Sequence, residues 1–384
     1  MKRIMQASVR LAQGALGALF GLCHFMPRQK RIVFLSRQSN SAPLDFVLLA
    51  EQIRRDHPDY ETVILAKKLE GKVPYMAHMV KQVYYLATSR AAVLDSYCIA
   101  VSMLAERLRI PVLQMWHALG LMKQAGYAAL GDPDGRDEET ASLFHMHEGY
   151  SSVLVSSARF RDDFARTFNV DPAIIYEAPL PRVDQLTSFE IRARKRAELE
   201  TAFPQLSQRK NVVYCPTFRK TYSSKDREAV AELVDACDAA GLNFVYKPHP
   251  VSTLRLDDPR VVQDETGRYD LLFAADYVVT DYSTIMYEAG LMGVAVFLYA
   301  YDWDDYRQRR SFEIDIKQEV PAFFSESAQL ITDAMKCGNF DQGAFQSFVA
   351  RYIALPEGQS CTQRIEDHLF SLIESEKGEG IVER

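Results

Sequence analysis

The chain predicts an α/β protein built from two Rossmann-like, doubly wound domains facing a cleft, a GT-B-like arrangement, preceded by a membrane-surface helix. Three observations predict it. Strand-like and helix-like stretches alternate from Arg31 onward, the pattern of parallel strands joined by crossover helices. The strand-like stretches are short and continuously apolar, as strands covered on both faces must be. The length of 384 residues, 48% hydrophobic and 25% charged, exceeds the usual size of one core.

The first segment differs from the rest. Lys2, Arg3, Arg10, Arg28, Lys30, Arg31 and Arg37 all precede Asp45, the first acidic residue. Leu11 to Met26 is too short for a membrane span, and Gln6, Arg10, Gln13, Gly17, Gly21 and His24 recur at helical spacing as a less apolar stripe. Residues 1–30 therefore read as a helix lying on anionic lipid at the cytoplasmic face of the membrane; a signal peptide and a helix buried against the body are the alternatives. Arg31 begins a strand at once and no small-residue cleavage site follows Cys23, which disfavours the signal peptide.

The expected strands are Arg31 to Leu35, Thr62 to Leu65, Ala91 to Asp95, Val112 to Trp116, Ser152 to Val155 and Ile174 to Glu177, then Asn211 to Tyr214, Asn243 to Tyr246, Tyr277 to Thr280 and Ala295 to Tyr299. The first six define an acceptor-side domain over 31–183. The others define a nucleotide-donor domain over 184–384 that carries the C-terminal helices. The boundary falls at Pro179-Leu180-Pro181-Arg182, before a helix whose Arg192, Arg194, Lys195 and Arg196 read as a solvated face.

Ligands of open α/β sheets bind beyond the carboxyl ends of strands, and the unusual residues concentrate there. Tyr277-Val278-Val279-Thr280 breaks into Asp281-Tyr282-Ser283-Thr284 before helical spacing resumes, leaving unpaired N–H groups beside hydroxyls, a seat for phosphate. Val213-Tyr214-Cys215-Pro216-Thr217-Phe218-Arg219-Lys220 and Phe244-Val245-Tyr246-Lys247-Pro248-His249-Pro250 deliver cations and an imidazole, which suit a pyrophosphate. Trp116-His117 ends another strand, followed by a loop with Lys123 and Gly126, and an imidazole there can take a proton from a hydroxyl. Singly, each motif also fits a helix cap, a surface ion pair or a structural histidine.

The ordered set resembles the CDP-glycerol glycerophosphotransferase family, the teichoic-acid primases and polymerases. The matching residues are Trp116-His117, Pro216-Thr217-Phe218-Arg219, His249-Pro250 and Thr280-Asp281-Tyr282-Ser283, with Tyr299, Tyr301-Asp302, Tyr306, Phe312 and Asp315, and Pro181-Arg182 with Asp184. The resemblance implies transfer of a polyol phosphate, glycerol phosphate first, from a CDP-polyol to a hydroxyl of a lipid-linked saccharide or polyol-phosphate acceptor, with release of CMP and peripheral membrane attachment. It makes His117 and His249 catalytic. Arg219, Lys247, Ser283, Thr284 and Asp281 would bind the donor phosphates, and Trp116 and Lys123 would stand on the acceptor side. Neither a cofactor nor a metal is implied, and no long separate targeting domain is expected. The chain departs from the family pattern at Ala118-Leu119-Gly120, where Gly-Thr-Pro is common, and at Ser311, where glycine is usual.

Composition narrows the rivals. A net charge of −6 argues against nucleic acid as partner. Six scattered cysteines indicate neither a disulfide framework nor a zinc site and fit a reducing cytosol. Asp302-Trp303-Asp304 and His145-Met146-His147-Glu148 resemble metal ligands, but the first is one chance triplet and the second alternates faces. Tyr84, Tyr85 and the Phe324 region read as packing. A nucleotide-sugar glycosyltransferase and a non-catalytic membrane-bound nucleotide-binding scaffold are the competing functions.

Overall fold

The computed structural model describes residues 2–69, 72–133, 135–219, 221–249, 252, 254–263 and 269–379. Lys220 and Pro250, named above, lie outside the described residues. The chain divides into two compact units. The first comprises Met1–His117, Gln124–Arg182 and Ala354–Arg384; the second comprises Ala118–Lys123 and Val183–Ile353.

In the first unit, β1 (Arg31–Ser36), β2 (Glu61–Ala66), β3 (Ala91–Leu94), β4 (Val112–Gln114), β5 (Ser152–Val155) and β6 (Ile175–Glu177) form a sheet of order β2-β1-β3-β4-β5-β6. Every pairing in it is parallel. Strand β3 is buried throughout, as continuous Ala-Ala-Val-Leu requires. Two expected strands end early. Ala91 to Asp95 stops at Leu94, and Val112 to Trp116 stops at Gln114, because Trp116 adopts φ 64 and turns the chain off the ladder.

The second unit holds β7 (Asn211–Cys215), β8 (Asn243–Tyr246), β9 (Val261–Gln263), β10 (Tyr277–Thr280), β11 (Ala295–Tyr299) and β12 (Phe323–Ser325), in the order β12-β11-β10-β7-β8-β9, again all parallel. Strands β9 and β12 were not anticipated. Each is a three-residue edge strand, too short to show a period. Tyr214, Tyr246, Phe297 and Tyr299 fill one core of this unit with Leu233 and Ile331.

Sequence reasoning placed the C-terminal helices with the second half. The structure instead groups everything after Ala354 with the first unit: in helix Cys361–Glu379, Phe370 stacks on His57 at 3.7 Å, and Gln363 accepts from Gln52 at 2.9 Å. The basic run on helix Phe189–Ala202 is more than a solvated face, since Lys195 meets Asp270 at 2.9 Å and Arg196 meets Asp276 at 3.1 Å.

Helix Lys2–His24 packs on the first unit through Val9, Leu16 and Phe20, each contributing roughly 1.5–3 kcal/mol of burial. The less apolar stripe is divided, with Gly17 buried and Gln13 half-buried while Arg10 and His24 are exposed. Gln13 Nε2 donates to Met103 O, and Gly17 is approached so closely by Arg107 that a Cβ would sit 2.9 Å from its Nε. Small residues permit that approach, so the apolar Leu11, Leu22, Phe25 and Met26 are left exposed, Phe25 at 90%. Among the described residues, no helix is long and apolar enough to cross a membrane.

Candidate active site

In each sheet the strand order reverses once, between β1 and β3 and between β7 and β10. The residues beyond those strand ends are where a doubly wound sheet takes its ligand. Each unit presents such a place.

On the first unit, His117 follows the turn made by Trp116, whose ring centroid lies 4.2 Å from its own. The Nδ1 atom is 2.9 Å from Asp95 O. A carbonyl can only accept, so Nδ1 carries the proton and Nε2 is the basic nitrogen. Burial pushes the imidazole down to about 4, with the carbonyl of Asp95 opposing, and so keeps it unprotonated at neutral pH. The backbone is pinned as well: Arg182 donates to His117 O at 2.9 Å while its guanidinium pairs with buried Asp45 at 2.6 Å. Sequence noted Arg182 only as part of a segment, and it gave no sign of Asp45, because their partnership spans the whole first unit. The second carboxylate of the group, Asp95, accepts from Ser36 at 2.6 Å and Ser96 at 2.8 Å, and burial raises it to about 6.

On the second unit, Asp281 is fully buried at the end of β10. It accepts from Thr217 N at 2.8 Å, Tyr282 N at 2.6 Å and Arg219 Nη1 at 3.0 Å. Arg219 also reaches Asp302 at 2.8 Å, Asp226 at 3.3 Å and Thr217 O at 3.1 Å, with Tyr282 OH donating to Asp302 at 3.0 Å. Burial opposes the guanidinium charge, but Asp281, Tyr301 and Asp302 outweigh it and hold the pKa above its ordinary value. Arg219 and Asp281 were expected at the donor phosphates. The structure places them inside the fold, engaged with each other, where they brace the ends of β7 and β10. Asp302, the tempting metal ligand, belongs to the same cluster.

The other donor-side residues are distributed around that brace. Ser283 and Thr284 are half-buried ahead of the seven-residue helix Ile285–Leu291, where Ile285 N donates to Ser283 Oγ at 3.4 Å. Lys247 follows β8 and lies 5.4 Å over the Tyr269 ring. His249 lies 5.5 Å from the Phe218 ring.

Lys123, expected on the acceptor side, lies in a short segment that groups with the second unit, where Lys123 bridges Phe312 and Glu313 N donates to Met122 O at 2.9 Å. Its Nζ is 3.5 Å from Thr217 Oγ1 and 5.6 Å above the Tyr306 ring. Burial lowers it to about 8, with Asp281 opposing and Arg310 and Arg219 assisting. His145 and His147 do not form a metal pair: their Nδ1 atoms face Glu148 at 3.1 Å and Tyr150 OH at 2.9 Å, and the described residues contain no cluster suited to a metal.

Two six-stranded parallel sheets with ligand-compatible groups at both reversal points define a GT-B-like α/β protein. The wall teichoic acid polymerase TagF shares this fold, with a TM-score of 0.75 at 17% identity over 97% of this chain and 98% of that one. The chain belongs to the CDP-Glycerol:Poly(glycerophosphate) glycerophosphotransferase family, whose model matches residues 18–371. It is 25% identical to the teichoic acid ribitol-phosphate primase of Bacillus spizizenii, over 95% of this chain and 98% of that protein. It is 23% identical to the teichoic acid glycerol-phosphate primase of Bacillus subtilis, over 84% of this chain and 83% of that protein.

Proposed function

We propose that this chain is a teichoic-acid polyol-phosphate transferase that moves the polyol phosphate of a CDP-polyol to a hydroxyl of a lipid-linked acceptor and releases CMP. Family membership supports the reaction class. The observation that carries the mechanism is the fixed tautomer of His117, whose Nδ1–H is held by Asp95 O and whose Nε2 lone pair is available.

In this reading Nε2 takes the proton of the acceptor hydroxyl as its oxygen attacks the phosphorus bearing the polyol. The bond from that phosphorus to the bridging oxygen of CMP breaks, and CMP leaves with the electron pair. Lys247, His249, Ser283, Thr284 and Lys123 hold the donor diphosphate and stabilise charge developing on CMP. Trp116 supports the acceptor side through its contact with His117. Glycerol phosphate is our first choice of transferred unit, from the family's description, although the relative named for ribitol phosphate is matched over more of the chain, 95% against 84% for the one named for glycerol phosphate.

We also infer that the exposed Leu11, Leu22 and Phe25, flanked by Arg10 and Arg28, rest on the anionic cytoplasmic face of the membrane. Replacing the three apolar residues by serine should weaken binding to anionic liposomes; unchanged binding overturns that attachment.

The deciding experiment for function is a donor screen with CDP-glycerol, CDP-ribitol and UDP-sugars, measuring CMP or UDP release in the presence of a lipid-linked acceptor. Turnover of a CDP-polyol supports the proposal and identifies the polyol. Turnover of UDP-sugars alone replaces it with a glycosyltransferase.

A further inference from the structure

The reversal point of the first sheet carries a charged group that none of the roles above uses. Strand β1 runs into Ser36, Arg37 and Gln38, and β3 runs into Asp95, Ser96 and Tyr97. Arg37 Cζ lies 4.9 Å from the centre of the Tyr97 ring, and Arg136 Cζ lies 5.4 Å from the same centre. The ring is a fixed wall, because Tyr97 is buried and its hydroxyl donates to Phe144 O at 2.8 Å. Arg136 is exposed and Arg37 half-buried, and two guanidinium groups at one ring raise the local positive potential, which favours an anion there.

The described carboxylates of this region are engaged elsewhere. Asp137 caps a helix by accepting from Thr140 N at 2.8 Å, Glu148 faces His145, Asp95 accepts from Ser36 and Ser96, and Asp45 holds Arg182. The Nε atom of Arg37 is moreover buried without a hydrogen bond of good geometry, as is the Tyr75 hydroxyl, the neutral group that interacts with this guanidinium, and a bound anion would supply a stronger acceptor. His147, 5.4 Å from Tyr97, adds no third charge: burial pushes it down to about 3, and Arg136 and Arg37 act in the same direction.

The segment that carries Arg37 adjoins the proposed base. Arg37 N donates to Ser96 Oγ at 3.4 Å, and the side-chain amide of the next residue, Gln38, is 3.4 Å from His117 Nδ1. We propose that Arg37 and Arg136 form an anion subsite that grips a phosphate or diphosphate group of the lipid-linked acceptor and thereby sets which acceptor hydroxyl comes within reach of His117. This rests on the assignment of His117 to the acceptor side. Planar guanidinium forks match phosphate oxygens, and charge-assisted bonds of this kind discriminate strongly against an uncharged group.

The test compares full-length protein with its Arg37→Gln, Arg136→Gln and doubly substituted forms, using two synthetic acceptors with the same saccharide. One carries an alkyl diphosphate, the other an uncharged alkyl chain. Each substitution should raise KM for the diphosphate acceptor by about tenfold or more relative to its effect on the uncharged one, with donor KM unmoved. Arg37→Lys should recover part of the loss, which a misfolded variant would not do. Equal losses on both acceptors, a raised donor KM, or weaker liposome binding with acceptor KM unchanged each overturns the proposal, the last two by assigning the subsite to donor or to lipid headgroup. Should the wild type turn over neither acceptor, the functional reading has failed but the subsite is still measurable. Inorganic pyrophosphate, titrated into the full chain saturated with CDP, should then bind the double variant about tenfold or more weakly, and equal binding rejects the site.

Discussion

Replacing Arg219 with glutamine should unfold the second unit more readily instead of merely loosening donor binding. The guanidinium is 7% exposed and stands between Asp281, Asp302 and Asp226, with side-chain exposures of 0%, 5% and 11%. Removing one member of a buried pair costs about 3–5 kcal/mol, because the remaining charge is stranded. Here three carboxylates lose one cation, so the loss belongs at or above the top of that range, against a total stability of roughly 5–15 kcal/mol. The assay is urea unfolding followed by tryptophan fluorescence. The chain has two tryptophans, and Trp303 lies 5.9 Å from Tyr282, so a Trp116→Phe background leaves a reporter beside the cluster. The deficit should shrink as the pH is lowered, since stranded buried carboxylates have raised pKa values and protonation relieves them. An unchanged urea midpoint with a much higher donor KM would refute the reasoning and return Arg219 to the ligand.

Three further outcomes are expected. His117→Gln should reduce CMP release by about 10²–10⁴-fold with donor binding retained, and the acid limb of the wild-type kcat/KM profile should lie near 4, because a lowered pKa keeps the base unprotonated to lower pH; a limb near the ordinary histidine value would contradict this. Lys123→Gln should raise donor KM and abolish an alkaline limb near 8, where the wild-type ammonium loses its charge; a raised acceptor KM alone would return Lys123 to the other side. Gly126→Ala should destabilise the first unit by about 1–3 kcal/mol, since φ is 54 and the added Cβ would meet Thr167 O at 2.1 Å, and thermal melting checks it.

The alternation of apolar strands was legible because fully covered parallel strands leave uninterrupted runs such as Asn211–Cys215. The edge strands β9 and β12 were not, being three residues each. Candidate residues were visible as polar breaks after strands, which found His117, Arg219 and Asp281. Their partners were hidden: Arg219 meets Asp302 across 83 positions and His117 meets Asp95 O across 22, separations that no local pattern encodes. The contacts of the N-terminal helix were hidden for a related reason. Spacing shows a stripe with Gln13 and Gly17, but not the room that Gly17 makes for Arg107, a residue far along the chain.

The backbone passes from one unit to the other at His117–Ala118, Lys123–Gln124, Arg182–Val183 and Ile353–Ala354. A cut at Arg182 therefore yields two fragments that are both defective: the earlier lacks helix Cys361–Glu379, and the later lacks the strip that pairs Lys123 with Phe312. Recombination that swaps whole halves between homologues would break the same two attachments unless the short strip and the terminal helix travel with their hosts.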